Sequence, residues 1–265
     1  MRAEGDDLHR LVAPQDGRSL PCKACGAASP PFGAVSFHRA VNRPDPPPGP
    51  DEPLLQHQRC PNCGLIFTSA LDHWSHADFQ AHIYNASYVE FDPDYVTVRP
   101  NNFANLFRRF APARGEIRML DYGGGAGLMA EELRRSGFDC QTYDPFSAEF
   151  RDRPTGRFNL ISCIETLEHL PQPRETIADL ASFADEQVLV VFSTLLQPPD
   201  IEAQGLGWWY VGPRNGHITF YTANSLAGLW AHSGFGYRPL SDTMHVAARK
   251  SPRFSSLLFG TAPSA

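Results

Sequence analysis

The stretch from Met119 to Leu133 constrains this chain more than any other. It reads as a short apolar strand over Ile117 to Leu120 closed by Asp121, a turn built on Gly123, Gly125 and Gly127, and a helix carrying Leu128, Met129 and Leu133 on one stripe and ending near Ser136-Gly137. Glycine lets the backbone take positive φ and lets a ligand approach closely. The helix start behind it offers unpaired N–H groups and a positive dipole end, suited to a carboxylate or phosphate. A tight strand-to-helix connection without a ligand has the same local signature, so the context decides.

That context is an alternation of strands and helices. Phe138 to Asp144 reads as a second strand ending in an acid, seventeen residues past Gly127, about where a ribose-binding carboxylate falls in a nucleotide-binding βαβ unit. A strand-end aspartate capping the next turn is the alternative reading for Asp144. Phe158 to Cys163 and Val188 to Ser193 are apolar runs of the parallel-sheet type, with a helix from Arg174 to Phe183 between them. The pattern predicts a doubly wound α/β sheet, whose ligands sit at the carboxyl ends of the strands. Asp121, Asp144, Glu165 and Ser193 all fall at such ends.

Six cysteines and a net charge of -6 narrow the remainder. The balance argues against a general nucleic-acid binder, since no dense Lys/Arg run offsets it. No apolar run reaches the roughly 18 residues of a membrane span. The N-terminus lacks the basic start and apolar core of a signal peptide, so a cytoplasmic protein is expected. In such a compartment cysteine spacing matters more than number. Cys22-x-x-Cys25-Gly26 and Cys60-x-x-Cys63-Gly64 have the form of two zinc knuckles, whose four thiolates would complete a closed tetrahedral, structural site; unrelated reduced thiols or a redox pair are the alternative. Between them Pro44 to Pro50 reads as an extended loop, while Ala34 to Val41, Leu54 to Arg59 and Leu65 to Phe67 read as ribbon strands.

The expected organisation is a flexible lead-in (1–20), a zinc ribbon (21–70), an aromatic and helical bridge (71–112), a main domain (113–250) and a tail (251–265). Within the bridge, Tyr84 and Tyr88 share a face at helical spacing, and Trp74, Phe79, Tyr84, Tyr88, Phe91 and Tyr95 either pack the ribbon or close as a lid over a ligand. Asn101 to Phe110 reads as an amphipathic helix.

On these residues the chain from about 100 to 250 resembles the class I methyltransferases that use S-adenosylmethionine. The match runs through Leu120 to Gly127, Tyr143-Asp144, Glu165 to Pro173 and Trp208 to Tyr221. The resemblance implies a Rossmann-like doubly wound methyltransferase sheet with a small N-terminal zinc-binding ribbon. It also implies that Asp121, Gly123, Gly125, Gly127, Asp144 and Glu165 line the cofactor site, and that two antiparallel strands near Gly236 to Asp242 and Met244 to Arg249 close the sheet. One departure is plain: thirteen residues between Asp144 and Phe158 are too few for the family's usual helix and third strand. The N-terminal double knuckle resembles that of some bacterial methyltransferases, including sugar C-methyltransferases.

Glu165-x-x-Glu168-His169 would share a face on a helix. The pattern resembles the metal-binding motif of ubiquinone-biosynthesis O-methyltransferases and of small-RNA 2'-O-methyltransferases, and in the latter a later histidine, here His217, completes the set. Two readings stand. In one, Glu165, Glu168, His169 and His217 hold a second, divalent metal that activates a hydroxyl; in the other, Glu168, His169 and His217 act without metal as base and orienting groups. The acceptor is expected to be a small molecule, a sugar or hydroxylated metabolite methylated on oxygen or carbon, with Trp208, Trp209, Tyr210, Phe220 and Tyr221 either lining its approach or covering the sheet. A catalytically inactive zinc-ribbon scaffold on the same fold is the alternative from another class. A nicotinamide-dependent dehydrogenase fits the Glu-His motif poorly.

Overall fold

The computed structural model describes residues 8, 12, 16–41, 43 and 52–259. The proline-rich stretch 44–50, most of the lead-in and the end of the tail lie outside the described residues. The described chain divides into two compact units that are not collinear with the sequence. One gathers residues up to Phe91 together with Leu167–Thr176 and Leu195–Leu229; the other gathers Asp92–Thr166, Ile177–Thr194 and the residues from Trp230 onward.

The second unit carries a six-stranded sheet in the order Gly236–Pro239, Met244–Ala248, Ala184–Ser193, Phe158–Cys163, Arg118–Tyr122, Asp139–Tyr143. The last four strands run parallel to one another, and the first two join antiparallel. Phe158, Leu160, Ile161 and Val188 to Phe192 are buried, as a sheet covered on both faces requires. The strand missing after Asp144 is absent among the described residues, and Asp139–Tyr143 forms the parallel edge. The closing antiparallel pair lies where expected.

Helix Leu128–Arg135 buries Met129, Ala130 and Leu133 and carries Arg134 and Arg135 against its negative end. It stops where Gly137 takes φ +84, with Gly137 N–H donating to Arg134 O and Phe138 N–H to Leu133 O, so the last carbonyls keep partners. The helix expected from Asn101 to Phe110 instead spans Val98–Phe107 and passes into a 3-10 segment, Arg108–Glu116. Pro112 lies inside that segment, and its ring would meet the carbonyl four residues back if the α-helix ran that far. Pro100 is tolerated because it sits in the first turn. Phe107, Phe110, Met119, Leu133, Leu160 and Val191 share one core, joined by Phe254 and Leu258 from the 3-10 segment Arg253–Phe259.

The first unit is a four-stranded antiparallel sheet in the order Thr219–Phe220, Ile66–Thr68, Leu54–Arg59, Pro31–Ser36. The ribbon therefore gains a strand from a segment far along the chain, with Thr219 opposite Phe67 and Phe220 opposite Ile66. Val35, Ile66, Leu206, Trp208, Tyr210 and Phe220 pack together beneath it. Helix His76–His82 is closed at its start by a reciprocal Ser75–Asp78 capping box. Tyr84 and Tyr88 do not share a helix; the chain turns at Asn85 to Ser87, and the two rings meet edge to face at 5.3 Å.

Phe110 is fully buried between Phe107 and Phe254. Phe110→Ala is expected to destabilise the protein by about 3–5 kcal/mol in urea titration, from lost burial plus the cavity left behind.

Candidate active site and thiolate cluster

In the second unit the glycine turn is shaped by what folds over it. Gly125 has φ +56, and a Cβ there would come 2.4 Å from the Tyr95 hydroxyl; Gly127 has φ +71, and a Cβ there would come 2.8 Å from the Phe150 ring. Only glycine serves at both positions. Asp144 anchors the turn from the next strand: its Oδ2 accepts from Gly125 N–H at 2.9 Å and its Oδ1 from Phe146 N–H at 2.8 Å. Asp121 is buried beneath Gly124, with Oδ1 accepting from Ser162 Oγ at 2.8 Å and Oδ2 lacking a hydrogen-bond partner among the described residues. Burial pushes its carboxyl up to about 7. A glycine turn, a strand-end carboxylate and a buried orphan acceptor fit a cofactor with a nucleoside and an amino-acid half. The Tyr95 hydroxyl reaches this turn from the bridge; Ser162, the partner of Asp121, is a residue the sequence does not single out.

Glu165 departs from expectation. It does not sit on a helix with Glu168; it follows the strand end with φ +47, a left-handed conformation uncommon outside glycine. Ser193 holds it there: Glu165 N–H donates to Ser193 Oγ at 2.8 Å, and that hydroxyl donates to Glu165 Oε1 at 2.6 Å.

In the first unit Glu168, His169 and His217 converge, each offering a ligand atom within 4.8 Å of the others. Glu165 is not in that group. Glu168 and His169 lie on one 3-10 turn, Leu167–His169, and His217 approaches from beyond the turn Pro213–Asn215. The Glu168 carboxylate is fully buried, and its Oε1 accepts from the Tyr210 hydroxyl at 2.7 Å. His217 Nδ1 lies 3.0 Å from the Tyr210 carbonyl, which only accepts, so Nδ1 carries a proton. The Tyr84 hydroxyl and His169 Nδ1 share a 3.1 Å hydrogen bond. The rings of His169 and His217 stand 4.9 Å apart, nearly perpendicular. Gly216 has φ +87, and a Cβ there would come 2.6 Å from His169 Nδ1. Tyr210 and Tyr84 were not assigned these roles from sequence; the only signal was the aromatic crowding around them. Trp208, Phe220 and Tyr221 prove to be buried packing, whereas Trp209 is 49% exposed.

The four cysteines meet as the knuckle spacing requires. Cys22 and Cys63 sulfurs lie 3.5 Å apart, as do Cys25 and Cys60, and all four fall within 4.8 Å of one another without a disulfide. Zn–S bonds of about 2.3 Å place tetrahedral sulfurs about 3.8 Å apart, so the cluster is compatible with a zinc ribbon. Hydrogen bonding from the Cys63 thiol, foremost, pushes the Cys22 thiol down to about 5. Lys23, buried inside the first knuckle, donates to Thr68 O at 2.7 Å and pairs with Asp72, tying that knuckle to the ribbon strand.

Residues 95–239 match the family described as a methyltransferase domain. The chain belongs to the methyltransferase family. Among curated relatives of the methyltransferase domain, the ubiquinone biosynthesis O-methyltransferase of Alkalilimnicola ehrlichii is 29% identical over a match covering 31% of this chain and 43% of that one. The enzyme of the same name from Methylococcus capsulatus is 26% identical over 49% of this chain and 71% of that one. The chain thus spans less than half the length of the first of these relatives. Among solved structures, an O-methyltransferase family protein from Burkholderia thailandensis aligns at 15% identity over 67% of this chain and 63% of that one, with a TM-score of 0.49.

The raised Asp121 carboxyl has a pH consequence. A carboxyl whose folded value exceeds its unfolded one binds an extra proton in the folded state, so its stabilisation is fully present below about pH 4 and is lost as pH rises through about 7. Urea midpoints of the wild type are expected to fall between pH 5 and pH 8 more than those of Asp121→Asn, which cannot titrate.

Proposed function

We propose that this protein transfers a methyl group from S-adenosylmethionine to a hydroxyl of a small hydroxylated acceptor. The observation that carries the reading is the convergence of Glu168, His169 and His217 in a chain that also holds the glycine turn and Asp144 of a methyltransferase domain. The names of the relatives, ubiquinone biosynthesis O-methyltransferases, favour oxygen over carbon as the methylated atom.

Bound S-adenosylmethionine supplies an electrophilic methyl on a sulfonium, so the protein has to align the acceptor and take its proton. Gly123, Gly125 and Gly127 expose backbone to the methionine half, and Asp144 accepts from the ribose hydroxyls. The Nε2 lone pair of His217 takes the acceptor proton, and the Tyr210 carbonyl holds the ring in the tautomer that makes this base available. Tyr84 orients His169, and the buried Glu168 carboxylate stabilises the imidazolium that forms. Cys22, Cys25, Cys60 and Cys63 would hold a zinc ion, and four protein ligands would make its role structural.

A second reading is favoured by the donor set itself. Two histidines and one carboxylate are the ligands of a divalent cation site with open positions, and a His217 ring whose Nδ1–H is donated to a carbonyl is the usual support of a metal ligand. There Glu168, His169 and His217 would hold the ion, which would lower the pKa of a bound hydroxyl.

Transfer of labelled methyl to a panel of catechols, other diols and sugars, with and without chelator, tests both readings. Activity that survives EDTA supports the metal-free base; activity abolished by EDTA and restored by Mg2+ alone, which a four-thiolate site does not take up, supports the cation. His217→Ala is expected to lower kcat by roughly 10²–10⁴ while leaving S-adenosylhomocysteine binding intact in calorimetry. Absence of any such binding in the wild type would leave a scaffold on a methyltransferase fold.

A further inference from the structure

We propose that the second cysteine knuckle positions the catalytic residues of the first unit, with Thr222 and Gln197 as the positioning residues. This rests on the roles given above to Glu168 and His217.

The carbonyl groups of the Cys60–Gly64 turn face outward and are taken up by two side chains from far along the chain. Thr222 Oγ1 donates to Cys63 O at 2.6 Å, and Gln197 Nε2 donates to Gly64 O at 2.8 Å and to Phe220 O at 2.7 Å. The fit is close: Gly64 has φ +78, and a Cβ there would come 2.7 Å from Thr222 Cγ2. The turn is itself closed by Gly64 N–H donating to Cys60 O at 2.9 Å, so the grip falls on a backbone held by the thiolates on either side.

From Thr222 the hold passes backward along one short segment. The Tyr221 hydroxyl donates to Leu167 O at 2.7 Å, Thr219 Oγ1 donates to Leu170 O at 2.7 Å, and Ile218 N–H donates to Glu168 O at 2.9 Å. These bonds bracket Glu168 and His169 from both sides. They begin at the residue next to His217, so they also set where those two groups lie relative to it. A misplacement of about 1 Å between reacting groups costs on the order of a hundredfold in rate. A metal-closed knuckle is a stiff point on which to hang such a segment, whereas Thr219–Phe220 pairs over two residues only.

Thr222 has a second duty that the test must separate. It caps helix Ala223–His232, exchanging hydrogen bonds with Ser225: Ser225 N–H donates to Thr222 Oγ1 and Thr222 N–H to Ser225 Oγ, each at 3.0 Å. Gln197 takes no part in that cap. The experiment compares wild type, Thr222→Ser, Thr222→Val and Gln197→Met, together with wild type stripped of metal by EDTA under reducing conditions. Each is measured for methyl transfer, for S-adenosylhomocysteine affinity by calorimetry, and for hydrogen exchange at the amides of Ile218, Thr219 and Phe220.

Expected for Gln197→Met and Thr222→Val is at least a tenfold loss of kcat, with acceptor KM and S-adenosylhomocysteine affinity within twofold of wild type, and at least tenfold faster exchange at those amides. Thr222→Ser, which keeps the hydroxyl, is expected to behave as wild type. The stripped protein should show the same local loss of protection. Unchanged exchange in Gln197→Met and in the stripped protein would overturn the proposal, as would faster exchange in Gln197→Met with kcat unaltered. A wild type that transfers no methyl fails the functional reading instead, and the exchange arm still judges whether knuckle and segment are coupled.

Discussion

The first unit depends on one non-local closure: Thr219–Phe220 laid against Ile66–Thr68, with Thr222 gripping the Cys63 carbonyl 159 residues away in sequence. A two-residue strand is a weak pairing, and closing so long a loop has an entropic cost that grows with its length. Two contributions offset it. Phe220 buries against Ile66, Trp208 and Tyr210, and the four cysteine sulfurs gather in one cluster that draws Cys22-Cys25 and Cys60-Cys63 together. Once the closure exists, the chain after Tyr210 has to pass His217 beside Glu168 and His169. The cluster is thus a by-product of a fold held elsewhere, which is why its members come from the two separate stretches Leu167–Thr176 and Leu195–Leu229.

The second unit follows a more local logic. Each parallel strand ends at a residue with a polar duty, and the turn after Arg118–Tyr122 takes positive φ at Gly123, Gly125 and Gly127, which favours glycine there. Asp121 pays for its place with a carboxyl raised by burial and eased by Ser162. Glu165 accepts an unfavourable backbone conformation because Ser193 bonds both its amide and its carboxylate. Perturbed or strained groups gathered at the carboxyl ends of parallel strands are what a ligand site in this architecture looks like.

Much of this was legible in the residues. The period of the apolar runs announced the sheet, the shortness of the segment after Asp144 announced its missing strand, and the two knuckles announced a four-sulfur cluster. The errors have physical causes. The helix before the glycine strand ends at Phe107 and passes into 3-10 turns, in which Pro112 is accommodated. Helical spacing groups Glu165 with Glu168, but Glu165 lies ahead of the single 3-10 turn Leu167–His169, in a left-handed conformation, so the three-residue spacing gives the two carboxylates no shared face. The aromatic run from Trp208 to Tyr221 has no period that separates packing from function. Burial alone sorts it, taking Trp208, Phe220 and Tyr221 inside and turning the Tyr210 hydroxyl onto Glu168.

The sequence by itself determined the elements whose cause is local: strands, the glycine turn, the acid after the second strand, and the knuckles, each specified by residue type within a few positions of chain. Tertiary structure decided what no local pattern encodes. It chose which of four suspected ligands converge, recruited Tyr84 and Tyr210 to orient them, and joined the ribbon to the segment bearing His217. Such choices rest on hydrogen bonds and packing between residues far apart in sequence, and those exist only once the fold has closed.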